Sequence, residues 1–450
     1  MKFVIRWLKR RTAFQWLVLG YGLITLTGAY LLSVPLSSQH GTRQPFIDAL
    51  FLATSGISTT GLTVVDVGSY YSRFGQIVLL CIFQIGGVGF MAFITAIAYL
   101  LRMRMSFLTE TIAKESLSGP DYRTLGRFFA MVLLFTAVFE IAAALVLTAV
   151  WWREYPLGEA AYLGLFHSVS AFCTAGFSTF SDSMIRYCDN LPVNGIINLV
   201  SVAGAIGFIV LYDFCAYMDK RRKNVFPRRL SLQTKLVFLM TTMLLVGGTI
   251  LIYFGNSWTA DVGRKERILE SVFQSISAST TDGFNTLDIG EMNPLCLTVL
   301  IGLMFVGASP GSTGGGMKTT TFGVLLVFLW LHLRGQEDNI RVFHRTIPRH
   351  CVHKAFSILL WFGLILFVDL LVLTAVESSS FLAILFEIVS ALANTGLSMG
   401  ITSSLTPLSK VILILTMFIG RVGPLAAGLF LIGRSGSAKF QYASEDLFIG

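Results

Sequence analysis

The chain has 450 residues, of which 54% are hydrophobic and 13% charged, and its 34 Lys and Arg against 25 Asp and Glu leave a formal net charge of +9. With a mean hydropathy of +0.71, this balance excludes an ordinary soluble domain and indicates a membrane protein. A basic excess without a soluble fold is weak support for a nucleic-acid partner, and none is expected.

A bilayer crossing needs about 20 apolar residues. In chain order such runs are read at Phe14–Leu36, Gly75–Leu101, Phe128–Trp152, Gly195–Met218, Leu236–Phe254, Leu295–Phe305 continued by Thr321–Leu333, Ala355–Val376 and Val411–Ile432, eight in all. Between the members of each pair lies a segment too short to span: Ile47–Ser58, Ala160–Cys173, Ile268–Ser279 and Phe381–Ala393. Each reads as a re-entrant helix. The opening "MKFVIRWLKRR" is followed by an apolar run of full span length with no A-x-A site, so the first helix is expected to be retained. Most of the basic residues fall at the N-terminus, in the three loops joining one pair to the next, and in the tail. The positive-inside rule therefore places both termini in the cytoplasm of a multi-pass protein of the cell inner (plasma) membrane.

The four short segments align as "FLATSGISTTGL", "FHSVSAFCTAGF", "FQSISASTTDGF" and "FEIVSALANTGL". Three columns match: Phe51, Phe166, Phe273 and Phe386; Ser55, Ser170, Ser277 and Ser390; Gly61, Gly176, Gly283 and Gly396. This internal repeat predicts an all-α polytopic membrane protein of four pseudo-fourfold-related units around one central pore. Each unit is a transmembrane helix, a re-entrant pore helix with its loop, and a second transmembrane helix. The expected boundaries are 1–105, 106–225, 226–335 and 336–450. A short helix aimed at a glycine turn presents backbone carbonyls and its negative dipole end, which suits a dehydrated cation. The bland alternative is that these glycines only let helices pack closely.

One stretch interrupts the third unit: "FVGASPGSTGGGMKTTTF", Phe305–Phe322, with Gly311, Gly314, Gly315, Gly316 and Lys318. It resembles a phosphate-binding loop, but a methionine separates the last glycine from Lys318 and no strand precedes it. Irregular backbone at membrane depth is tolerated only where protein buries it or a watery cavity adjoins it. Lying roughly 25–35 residues beyond Gly283, at 1.5 Å per residue, it falls at about mid-depth beneath the glycine turns. Segment 307–319 is thus expected to lie across the pore as a gate. Aligning "IGGVG", "AGAIG", "VGASP" and "IGRVG" sets Gly87, Ala205 and Ala308 opposite Arg421. Arg421 is either an electrostatic barrier working with Lys318 or half of an ion pair with Glu140 or Asp369. Asp282 either concentrates cations at the mouth or hydrogen-bonds within the pore helix. The six cysteines show no C-x-x-C pair, and "RHCVH", with His350 and His353, reads as a solvated loop. No transition-metal site, disulfide framework, cofactor or catalytic residue is expected.

The fourfold glycine pattern, "IGGVGF", "AGAIGF", "GASPGSTGGGMKT" and "GRVGP" closely resemble the Ktr/Trk/HKT superfamily of cation transporters over essentially the whole chain, and within it the Ktr-type membrane subunits. The chain begins directly with the first unit, whereas Trk-type members carry two extra helices there, and its end "ASEDLFIG" is similar to Ktr-type tails. The resemblance implies that Gly61, Gly176, Gly283 and Gly396 are filter glycines, with Thr60, Ala175, Asp282 and Thr395 before them. Four glycines imply potassium as the substrate, whereas in plant relatives a serine at the first position accompanies sodium transport. It further implies a homodimer with one pore per protomer, docked on a cytosolic octameric ring of nucleotide-binding RCK subunits, with sodium as an activator. Three functions stay in view: a gated potassium-selective subunit, a sodium-conducting or sodium/potassium-cotransporting one, and a membrane enzyme using the glycine-rich loop on a phosphate.

Overall fold

The computed structural model describes residues 13–89, 122–224, 226, 229–258, 262–335 and 340–423. The expected continuations of the second span to Leu101 and of the eighth to Ile432, the first inter-unit loop, Arg228, Pro424 and the C-terminal tail lie outside the described residues.

A long helix, a short helix, a glycine loop and a further helix follow one another four times. The first set is α1 (Ala13–Ser33), α2 (Phe46–Ile57) and α3 (Arg73–Val88); the second is α4 (Tyr122–Trp151), α5 (Leu157–Phe172), α6 (Leu191–Ala205) and α7 (Phe208–Arg222). The third is α8 (Leu232–Gly255), α9 (Arg264–Thr280), α10 (Pro294–Val306) and α11 (Thr319–Leu333); the fourth is α12 (Arg349–Val376), α13 (Phe381–Ala393) and α14 (Pro407–Val422). A two-residue hairpin, β1 (Arg341–Val342) with β2 (Arg345–Thr346), precedes α12. Starts follow ordinary capping: Asn190, Ser231, Ser380 and Thr406 each accept a backbone N–H from the first turn of the helix behind them.

Among the described residues, three helical stretches can cross a membrane unaided by length and composition, Phe128–Trp151, Leu232–Gly255 and Arg349–Val376, or four if α6 and α7 are one broken span. That break corrects an expectation. Gly195–Met218 reads as a continuous span, yet α6 and α7 meet at 93°. Gly207 at the corner has φ +98°, and a Cβ there would collide with the Pro310 carbonyl. The amide of Phe208 donates to the Gly311 carbonyl at 2.8 Å. The glycine-rich segment thus occupies the corner and supplies the acceptor that an unbroken helix would have supplied from within.

The long helices are apolar on their outer faces. On α4 Leu134, Val138, Ile141 and Leu145 are exposed, and on α12 Leu360, Leu364, Phe367 and Leu371 are. Spacings of three and four residues make each set one stripe, which suits lipid. The short helices are the reverse: Phe51, Phe166, Phe273 and Phe386 are all at most 1% exposed. The core runs from each set to the next. Phe166 and Cys173 pack with α1–α3, Phe273 and Phe284 with α4–α6, Phe386 and Val389 with α10, and Leu413 and Met417 return to the cluster around α2.

Candidate functional site: four glycine loops and the segment beneath them

Each short helix ends in the same way. The residue two before the glycine takes the left-handed conformation, with φ +52° at Thr59, +49° at Thr174, +57° at Thr281 and +53° at Asn394. The next residue reaches back to the serine of the repeat: Thr60 N donates to Ser55 O at 2.7 Å, Ala175 N to Ser170 O at 2.8 Å, Asp282 N to Ser277 O at 2.9 Å and Thr395 N to Ser390 O at 2.9 Å. With the Thr59-to-Gly56 bond and its three counterparts, this is a Schellman cap built four times. The serine carbonyl column thus sets where each loop leaves its helix. In two loops the serine hydroxyl also holds the turn: Gly283 N donates to Ser277 Oγ at 3.1 Å and Gly396 N to Ser390 Oγ at 3.0 Å, while Ser277 Oγ donates to Phe284 O at 2.6 Å. The Ser55 and Ser170 hydroxyls have no such partner.

The glycines themselves have φ of +91°, +65°, +91° and +91° at Gly61, Gly176, Gly283 and Gly396. A Cβ on Gly61 would collide with the carbonyl of Ala175, on Gly176 with that of Asp282, on Gly283 with that of Thr395, and on Gly396 with that of Thr60. The sequence of contacts closes on itself. Loops separated by more than a hundred residues in the chain therefore stand side by side in a ring, each glycine against the carbonyl preceding the next glycine. The close-packing alternative applies to a different set: a Cβ at Gly86, Gly204 or Gly420 would strike the carbonyl of Ile57, Phe172 or Leu392, each four residues before a ring glycine.

Between α10 and α11, residues 307–318 form the irregular segment. A helix, α10, precedes it, so the strand required of a phosphate-binding loop is not there. Thr313 and Gly315 touch all four left-handed residues. Thr59 Oγ1 donates to Thr313 O at 3.3 Å, Thr174 Oγ1 to Thr313 Oγ1 at 3.3 Å, and Gly315 N to Thr281 Oγ1 at 2.8 Å. A Cβ on Gly315 would meet the Ala393 carbonyl and Asn394. Gly311 and Gly316 have φ +68° and +79°, and a Cβ on Gly314 would be crowded by Ala308 and the Thr280 carbonyl. Lys318, at φ +90° before α11, donates from Nζ to Gly314 O at 2.6 Å and Gly315 O at 3.2 Å.

Arg421 reaches the same point, its guanidinium donating to Thr313 O, to Gly86 O and, at 3.5 Å, to Gly87 O. Among the described residues it has no ion pair with Glu140 or Asp369. Those carboxylates accept instead from Gln84 Nε2 at 3.1 Å and Thr416 Oγ1 at 2.6 Å. Asp282 is 1% exposed and its Oδ2 accepts from Ser201 Oγ at 2.6 Å. The bond crosses to α6 of the preceding set instead of staying within the pore helix, and the carboxylate is buried. Two sets escaped the reading of the sequence: the Thr59, Thr174, Thr281 and Asn394 column, and Thr313. The first is visible as a polar column two before each glycine; Thr313 has no signal in sequence, since its meaning lies in what it touches.

Comparison with known proteins shows the family and the overall fold. Residues 10–440 match the family model TrkH, described as cation transport protein. The Ktr system potassium uptake protein B of Bacillus subtilis is 35% identical, over 99% of this chain and 98% of that protein. The protein of the same description in Vibrio alginolyticus is 34% identical, over 96% and 94%. The potassium/sodium uptake protein NtpJ of Enterococcus hirae is 30% identical, over 98% of each. Among solved structures, the potassium transporter TrkH of Vibrio parahaemolyticus is similar with a TM-score of 0.73 at 21% identity, covering 94% of this chain and 86% of that one.

Proposed function

The chain belongs to the TrkH family of cation transport proteins and is a multi-pass membrane protein, and on that premise we propose that it carries potassium into the cell as the ion-translocating, gated subunit of a Ktr-type system. The observation that carries the reading is the closed ring of four glycine loops with residues 313–315 in contact with every one of them. In this reading the four sets are pseudo-fourfold repeats with eight spans around one pore. Carbonyls around Thr60–Gly61, Ala175–Gly176, Asp282–Gly283 and Thr395–Gly396 replace the hydration shell of the ion. Glycine is needed at each ring position because any Cβ strikes the neighbouring carbonyl.

Segment 307–319 is the gate. Its tip is held by hydrogen bonds from Thr59, Thr174 and Arg421 and to Thr281, all of which can exchange for water. Lys318 and Arg421 raise the electrostatic cost of a cation passing while it is closed. Opening moves the tip off the left-handed residues and leaves the ring standing. The same reading places the protein in the cell inner (plasma) membrane with both termini in the cytoplasm, and makes it a homodimer docked on a cytosolic nucleotide-binding RCK-type ring, with sodium as activator.

A second reading, sodium conduction or sodium/potassium cotransport on the same architecture, is favoured by one observation, the description of the Enterococcus hirae relative as a potassium/sodium uptake protein. Ion flux into proteoliposomes of purified protein, under separate potassium and sodium gradients, separates the two. Potassium flux well above sodium flux is expected. Equal flux of both ions overturns the potassium-selective reading, and nucleotide hydrolysis by the purified chain would revive the enzyme.

A further inference from the structure

Far from the glycine-rich segment, at the end of the molecule where the short helices begin, three metal-ligating side chains converge. Cys188 follows the 3-10 turn Ile185–Tyr187, and Glu266 and Glu270 lie four residues apart on one face of α9. Their ligand atoms, one thiol sulfur and two carboxylate oxygens, all lie within 4.8 Å of one another. Cys188 Sγ and Glu266 Oε1 are 3.6 Å apart. Two ligands of a tetrahedral zinc ion, with Zn–S about 2.3 Å and Zn–O about 2.0–2.2 Å, would stand about 3.5 Å apart.

Two further features separate this cluster from an ordinary group of surface acids. Glu270 is 4% exposed, and its Oε2 has no hydrogen-bond partner. A buried carboxylate oxygen left unpaired is costly, and it calls for a cation or proton at that place. The backbone that carries the thiol is also held firmly. Asn194 Nδ2 donates to Cys188 O at 3.0 Å and to Tyr187 O at 2.8 Å, and Cys188 N donates to Ile185 O at 3.1 Å. A ligand on a pinned backbone needs little ordering when a metal arrives.

We propose that Cys188, Glu266 and Glu270 form a binding site for a borderline-soft divalent cation of the zinc class, with three protein ligands and a water in the fourth position. The mixed sulfur and oxygen donor set selects zinc or cadmium over magnesium or calcium, which prefer oxygen alone. Binding releases the thiol proton, since the thiolate is the ligand. This departs from the expectation drawn from cysteine spacing, which looks for paired cysteines close in sequence. Here the thiol belongs to one glycine-loop connection and the carboxylates to the helix of the next, more than seventy residues on. The site also stands on the element that leads to the ring: Gln274 and Ser277 continue the face of Glu270 along α9, and Ser277 Oγ holds the amide of Gly283.

The test uses full-length protein stripped of metal and carrying Cys351→Ser, which removes the thiol beside His350. It is titrated with Zn2+ and with Cd2+, in competition with Mg2+ and Ca2+, and read by bound metal per chain and by the thiolate-to-cadmium charge-transfer absorption. One ion per chain with a thiolate band is expected, together with a rise in melting temperature on adding metal. Cys188→Ser and Glu270→Gln keep the shape of the site. Each should weaken binding by roughly tenfold or more, at least what loss of an outer-shell partner costs. Cys188→Ser should also lose the band. Binding unchanged in both variants, a band that persists without Cys188, or displacement by equimolar Mg2+ or Ca2+ overturns the site. The readout is binding, so its failure leaves the transport reading untouched, and failure of potassium flux leaves the site standing.

Discussion

At Gly61 two constraints coincide, a φ of +91° that L side chains rarely adopt and a neighbouring carbonyl where a Cβ would go. Gly61→Ser is therefore expected to push the Ala175 carbonyl out of the ring and lower the potassium to sodium permeability ratio. An unchanged ratio in a variant that folds would remove Gly61 from the filter. The serine column makes a sharper comparison, because the four serines share one carbonyl role but not one hydroxyl role. Ser277→Ala leaves the Gly283 amide and the Phe284 carbonyl without the hydroxyl they share, at a cost of about 1–3 kcal/mol. Ser55→Ala removes a hydroxyl that has no partner and should cost much less. Thermal melting of the two variants in detergent measures the difference, and equal losses would contradict it. The ring glycines and the serine column were legible from the repeat. The left-handed threonines were not singled out, because nothing in Thr-Thr or Asn-Thr announces a positive φ; the Schellman hydrogen bonds impose it.

Among the elements, the interrupted helix pair α10 and α11 was the easiest to see in sequence, since a run of glycines with a proline cannot continue a helix. Helix rise gives its expected depth. What it touches was not legible there, because Gly204, Phe172, Thr59, Thr174 and Asn394 belong to other sets. Deleting Gly311–Gly316 removes the tip that bonds Thr59, Thr174 and Thr281. Potassium flux in proteoliposomes is expected to rise and to depend less on a cytosolic partner, with selectivity retained because the ring is untouched. A deletion that folds and conducts less than the parent sinks the gate. Arg421→Ala releases Thr313 O and Gly86 O and should move flux in the same direction by a smaller step. The corner between α6 and α7 was missed for a physical reason: apolar composition is continuous through Ile206–Phe208, and only the Pro310 and Gly311 carbonyls make the turn at Gly207 favourable.

Across the whole molecule the first and last sets must meet for the ring to close, and one ion pair marks the seam. Lys410 Nζ on α14 lies 2.7 Å from Asp48 Oδ1 on α2, with side chains only 11% and 19% exposed. Removing one partner strands the other charge, which costs about 3–5 kcal/mol for a buried pair. Lys410→Met is therefore expected to lower the melting temperature strongly, and Lys410→Met with Asp48→Asn to recover much of it. A double variant no better than the single would show that the pair contributes through packing alone. On the opposite side of the molecule α7 ends in exposed Arg221, Arg222 and Lys223, with Arg229 beyond them. Lys223 is engaged by Asp219 at 2.9 Å and the arginines are open to a partner. Neutralising Arg221, Arg222 and Arg229 should weaken capture of a soluble ring more at low salt than at high, where these exposed charges are already screened, while insertion stays normal. Full capture by the mutant would leave these charges with topology only.

Composition, the apolar runs, the four matched columns and the glycine-rich break are properties of residue order, so the sequence by itself determined that this is a membrane protein of helices, with four equivalent turns and one interruption. Which glycine faces which carbonyl depends on closure between Gly396 and Thr60, more than three hundred residues apart, and only packing decides that. The same holds for Arg421, whose position in an apolar helix signalled a partner without naming it; the folded chain supplies carbonyls of Thr313 and Gly86 rather than a carboxylate. Cys188 and Glu270 make the case most plainly, for a ligand set assembled from a connection of one set and a helix of the next has no spacing to read, and three-dimensional proximity alone brings its atoms within reach of one ion.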